Sequence, residues 1–201
     1  MRPKTSVAAA RFIRDARRGT LRLAGLAGRC EIAIVYRAPT IRRVQPPSAS
    51  VALTVVDQRP AGLSGSDRRQ VGTLRLGYGI PFAVYERGPE RITELVTRAT
   101  ADALQQAGIA PEPSSARVLV ASVTRFWADG FAGYTGVVEV NCSLQDHSGK
   151  SLWSALVRGA GGRSQWWGPS VVETVFSEVL GDYTTRAARA FESEEFQTAL
   201  L

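Results

Sequence analysis

The residues able to do chemistry in this chain are few, and their types set narrow limits. His147 is the one histidine among 201 residues, so any triad built on an imidazole base has to use it. It lies in Asp146-His147-Ser148-Gly149, the composition of a hairpin turn, where a histidine reads as a solvated turn residue. A zinc site with several histidines is excluded, and the only two cysteines, Cys30 and Cys142, form no Cys-x-x-Cys. Two cysteines are also too few for a disulfide framework. Cys142 falls on an apolar strand face and reads as a small buried hydrophobe. Gly72…Gly77-x-Gly79 and Gly159-Ala160-Gly161-Gly162 are glycine-rich, but neither has phosphate-loop spacing, and the second reads as a strand end. Asp57 and Asp129 stand at predicted strand ends, where acids commonly serve turns. Paired-carboxylate chemistry would need two acids to meet in space, and nothing in the spacing requires it. These residues predict a protein that is not an enzyme and carries no cofactor and no metal.

The aromatic clusters are the best binding candidates. Phe126-Trp127-Ala128-Asp129-Gly130-Phe131-Ala132-Gly133-Tyr134 reads as a strand, a glycine-containing turn and a returning strand, and Trp166-Trp167 precedes a predicted helix. Exposed on a loop, such rings suit a protein, peptide or glycan contact; turned inward, they close the end of the core. The candidate contact residues are Trp127, Phe131 and Tyr134. An envelope protein is the expected partner, and a small molecule or glycan held by the aromatic hairpin is the alternative.

Charge sits at one end. Residues 1–43 hold 11 of the 25 Arg and Lys and two of the 18 acids, a net +9, which leaves residues 44–201 with 14 basic and 16 acidic groups, a net −2. A body that bound phosphates would carry its own basic face, so no nucleic acid is expected there. The basic arm itself admits three readings: an export leader, a tail for nucleic acid or anionic lipid in a cytoplasmic protein, or sequence upstream of the true start. Arg17-Arg18, a weak apolar run over 21–28 and then Cys30 follow the order of a lipoprotein signal. Arg29 stands where a small residue belongs, and Arg22 interrupts the run. Cys30 is the candidate lipid anchor.

The elements that must position these residues follow from periodicity. The expected organisation is a basic leader and linker over 1–47 and one domain over 48–201. Residues 51–58 read as a strand apolar on both faces, closed by Pro60. Residues 71–76 read as a weaker edge strand, and 77–81 as a turn. A helix is predicted over 89–107, with an apolar stripe through Ile92, Leu95, Val96, Ala99, Ala103 and Leu104 and a stop at Gly108. Strands follow over 117–127, over 138–145 with Val138, Val140, Cys142 and Leu144 inward, and over 152–158 with Trp153, Ala155 and Val157 inward. A second helix starts at a capping box, Ser170-Val171-Val172-Glu173. It carries Val172, Val175, Phe176, Val179, Leu180, Tyr183, Ala187, Ala190 and Phe191 on one face, and residues 194–201 form a short terminal helix or a tail. The order β-β-α-β-β-β-α predicts an α+β fold: a mixed sheet of about five strands with two amphipathic helices packed on one face.

Three stretches in this order resemble the YajG-type lipoproteins of the Gram-negative outer membrane. Asp57-Gln58-Arg59 closes the first apolar strand. Ala103-Leu104-Gln105-Gln106-Ala107-Gly108 ends the first helix. Residues 118–129 end in Phe126-Trp127-Ala128-Asp129 and lead to a polar-alternating strand. The resemblance covers roughly residues 50–199. It implies a periplasmic domain tethered to the outer membrane by a lipidated cysteine, by position Cys30. It brings no catalytic residue and no cofactor, and it implies an accessory or binding role in the cell envelope.

Overall fold

The computed structural model describes residues 29–39, 48–60, 68–75, 81–87, 91–130, 133–164 and 169–201. The expected α+β class holds, with eight strands in a mixed sheet and three helices among the described residues. The strands are β1 (Arg29–Ile32), β2 (Ala49–Asp57), β3 (Gln70–Arg75), β4 (Pro81–Glu86), β5 (Ile109–Pro111), β6 (Val118–Gly130), β7 (Tyr134–Gln145) and β8 (Ser151–Arg163). The helices are α1 (Ile92–Gln106), α2 (Pro169–Phe191) and α3 (Glu194–Leu200).

β6 organises the sheet. One side pairs antiparallel with β7, which pairs in turn with β8. The other side is shared by two parallel partners: β2 takes residues Val118 to Val123, and β3 takes Ala128 to Gly130. The register slips between Val123 and Arg125, so a bulge at Thr124 marks the fork. Beyond the fork one branch runs β3–β4–β1 and the other β2–β5.

α1 and α2 cover one face. The stripe on α1 is fully buried at Leu95, Val96, Ala99, Ala103 and Leu104, and that on α2 at Val175, Phe176, Val179, Leu180, Tyr183 and Phe191. They meet Leu119, Ala121, Val123 and Phe126 of β6 and Val138, Val140, Cys142 and Leu144 of β7 in one core. Phe126 stacks on Phe176 with ring centroids 4.8 Å apart. α1 stops before Gly108, whose φ of 75° lies in the left-handed region that glycine adopts without strain. Ser193 caps α3 through a bond accepted from the Phe196 N–H, which seats Phe196 against Trp153 and Phe191.

Several expectations are corrected. β3 is not an edge strand, because β4 covers its outer side. β4 begins at Pro81, where the predicted turn was to end. The capping box at Ser170 is not formed: α2 already includes Pro169, and the Glu173 carboxylate accepts a bond from the Ala33 N–H instead. The linker expected over 1–47 ends earlier. Arg29–Ile32 pairs parallel with β4, and the chain continues extended with Ile34 and Tyr36 buried. The Tyr36 hydroxyl donates to Asp102 on α1 at 2.7 Å and lies 3.2 Å from the Thr184 hydroxyl on α2, and Arg98 stacks over its ring. Residues 29–36 are therefore a structural strap across both helices, with its even-numbered side chains in the core. The basic arm over residues 1–28 lies outside the described residues.

Candidate functional site

Alternation along β6 decides which aromatic residues face outward. After the bulge, Phe126, Ala128 and Gly130 point to the helices, and Arg125, Trp127 and Asp129 point to the face that none of the described helices covers. Tyr134 pairs with Gly130, and its ring takes the space a Gly130 side chain would need, so it is buried in the core. The predicted contact surface is thus corrected. Trp127 and Tyr134 lie on opposite faces of the sheet and cannot touch one ligand, while Phe131 and Trp166-Trp167 lie outside the described residues.

On the helix-free face, strand pairing stacks three rows. Trp127 faces Val137 and then Ala160; Arg125 faces Glu139 and then Arg158; Asp129 faces Thr135 and then Gly162. They line an open groove of about 660 Å³. Val137 is only 8% exposed although no described helix lies over it. Arg125 and Arg158 share one carboxylate, Glu139, at 3.9 and 3.6 Å. Asp129 keeps its Oδ1 buried without a hydrogen-bond partner, as does the hydroxyl of Thr73, its neighbour in the β3–β6 ladder. Buried polar atoms normally have partners, so a pair without them asks for an explanation. Sequence reasoning missed Arg125, Arg158, Glu139 and Thr73 as site residues. Arg125-x-Trp127-x-Asp129 was the available signal, a period-two polar face continuing a strand.

Two solved structures share this fold. Protein XCC0632 from Xanthomonas campestris, a DUF330 protein, superposes with a TM-score of 0.59 at 20% identity, over 84% of this chain and 97% of its own. An uncharacterised protein superposes with a TM-score of 0.51 at 14% identity, over 80% and 99% of the two chains. No family model matches the sequence, and no curated protein matches it. At these identities the likeness establishes the fold, and it does not name the YajG type.

The remaining candidates have structural places. Asp57 is engaged by Arg59. His147 is exposed in the β7–β8 turn, which Asp146 organises by accepting from the Ser148 and Lys150 N–H groups. Among the described residues no three His, Cys, Asp or Glu side chains gather as a metal site, and no helix is long and apolar enough to cross a membrane.

Cys30 is also corrected. Its side chain is 5% exposed inside the strap, and an acyl chain on that sulfur would have to pull β1 out of the core. Burial raises its thiol pKa, and the nearby Glu173 and Glu31 carboxylates raise it further. Cys142 is pushed up to about 12, mainly by burial. Because the thiolate is the reactive form, both cysteines should resist a small disulfide reagent at pH 8 in the folded protein and react together once urea unfolds it. Rapid labelling of Cys30 alone in native buffer would show that the strap is loose.

Proposed function

We propose that this chain is a non-catalytic accessory protein of the cell envelope, on the periplasmic side of the outer membrane, which acts by binding an envelope protein along the edge of β8. The envelope placement rests on the resemblance to the YajG-type lipoproteins and on the reading of the basic arm as an export leader. Lipidation at Cys30 is not part of the proposal, because that thiol packs in the core.

The observation that carries the binding mode is the character of β8. It is 13 residues long, pairs among the described residues with β7 alone, and contains neither proline nor an acid. The Ala160 N–H points away from β7 and donates to Asp182. By strand alternation the N–H and C=O groups of Ser154, Leu156 and Arg158 point outward too. Leu156 is 64% exposed beside them. The ladder slips once, at Leu152 near the start of β8; beyond that point the long, proline-free edge is a template for an added strand.

The test places a photo-crosslinking residue at Ser154 of the full chain in living cells, followed by fractionation. A discrete adduct with an envelope protein is expected, and it should vanish in Leu156→Pro. That proline removes an outward N–H and leaves the β7 ladder whole. Adducts only with copies of the same chain, an adduct that survives Leu156→Pro, or a chain confined to the cytosol would overturn the proposal.

A further inference from the structure

We infer that the groove on the helix-free face of β6, β7 and β8 is a binding site for a neutral, hydroxyl-rich ligand, a glycan, with one sugar ring seated on Trp127. This goes beyond the protein contact at β8 and stands without it, since Leu156 is no part of the groove wall.

Four observations converge. The first is size: about 660 Å³ falls within the roughly 300–1,000 Å³ of typical ligand sites. It is open along its length, so it suits a section of a chain rather than an enclosed small molecule. The second is the platform. Trp127 is a half-buried aromatic in the groove wall, with Ala160, Gly161 and Gly162 forming a low wall beside it. A large aromatic face contributes contact area at little entropic cost.

The third is hydrogen-bond demand. Asp129 Oδ1 and Thr73 Oγ1 are buried and without partners on this face. Asp129 lines the groove, and a small turn of its carboxylate would present an acceptor to a sugar hydroxyl, a group that donates and accepts at once. Arg125 and Arg158 supply further donors, since each has only part of its guanidinium turned toward Glu139.

The fourth is charge. The two arginines in and around the groove are balanced by the carboxylates of Glu139 and Asp129. A polyanion would meet both carboxylates, and a polycation both guanidinium groups, so neither is favoured over a neutral ligand. A peptide is the weaker fit. The main-chain groups of β6 and β7 are committed to the ladders on either side, so a peptide backbone lying across this face finds no main-chain partners there.

The experiment is a binding screen of the full chain on an array of neutral and acidic microbial oligosaccharides, followed by titration of each hit. Neutral glycans should bind. Trp127→Ala and Asp129→Ala should each weaken binding by at least about tenfold, the loss expected when one ring contact or one hydrogen bond to a desolvated carboxylate is removed. Trp127→Tyr should restore most of it. Both residues face away from the core, and unchanged melting curves would separate a lost site from a lost fold. Leu156→Pro should bind glycan as the wild type does, which keeps this result independent of the β8 contact. Three results would overturn the inference: no glycan retained above a blank surface, binding indifferent to Trp127→Ala and Asp129→Ala, or binding confined to acidic glycans and abolished by salt. The last would make the arginines an anion site.

Discussion

Replacing Arg59 with methionine should destabilise the domain by about 3–5 kcal/mol, the cost of stranding one half of a buried ion pair. Arg59 is 7% exposed and sits just past the end of β2, where β6 loses β2 as a partner and gains β3. Its guanidinium grips both carboxylate oxygens of Asp57 at 2.9 Å and donates to the main-chain oxygens of Arg68, at 2.6 Å, and Gln70. Arg68 returns a bond to the Asp57 main-chain oxygen. The pair therefore joins the end of one branch of the sheet to the start of the other. Methionine fills much of the volume and satisfies none of these acceptors. Urea unfolding should show the midpoint fall with an unchanged slope, and Asp57→Asn combined with Arg59→Met should recover part of the loss. A midpoint within experimental error of the wild type would remove Arg59 from this role. Acid gives a second readout. Burial alone would raise the Asp57 carboxyl, but the hydrogen bonds and charge of Arg59 outweigh it and hold the group below its ordinary range. A carboxyl whose folded value is the lower one stabilises fully above the unfolded value of about 3.9, and that contribution fades as pH falls through the folded value. The methionine variant should lack this acid-dependent component.

The sequence carried the pair but not its meaning. Asp57-Gln58-Arg59 was visible as the close of an apolar strand. That it locks a fork depends on β3 arriving beside β6, a contact between segments about 55 residues apart, and periodicity does not report such contacts. Helix stripes and the hairpin faces of β7 and β8 were legible because each is set by local alternation against one core. The strap was legible too, and overlooked. Residues 32–36, Ile-Ala-Ile-Val-Tyr, form a short apolar run of strand type, and in the fold Cys30, Ile32, Ile34 and Tyr36 are buried while Glu31, Ala33, Val35 and Arg37 are exposed. The basic arm and the cysteine that follows it pointed instead to a leader, and the compositional signal overrode the periodic one. The aromatic hairpin failed for another reason. The bulge at Thr124 resets which residues of β6 face outward, and a one-residue shift exchanges the two faces. Trp127 and Tyr134 can be assigned to faces only once that bulge is placed.

Gly159→Val should cost about 3 kcal/mol, at the upper end of what overpacking a core produces, and the reason adds to how the glycine run is read. Gly159-Ala160-Gly161-Gly162 closes β8 as expected, one residue short of its end, but its glycines serve packing as well. A side chain at Gly159 would begin 2.3 Å from the Val179 main-chain oxygen and 2.7 Å from the Tyr183 main-chain nitrogen. These are atoms of the α2 backbone, which cannot turn aside as a side chain can. Gly136 of β7 presents its missing side chain to Val175 and Val179 in the same way. Glycine is thus used here for close approach, letting α2 lie directly on the β7–β8 ladder and bringing Tyr183 within 2.8 Å of Thr100 on α1. A valine would lift the helix and disturb that buried bond. Gly181, on α2 itself, has open space where a side chain would go. Gly181→Ala should therefore stabilise by about 0.5–1 kcal/mol, the ordinary helix preference for alanine over glycine. Opposite signs for these two substitutions, read from thermal melts, would establish that the Gly159 contact and not glycine content governs the packing. Equal effects would mean that α2 does not press on β8 as described. Because the same sheet carries the groove on its other face, a lifted α2 should also loosen the ladder that holds Trp127 beside Val137, and the binding site would report the damage from the far side.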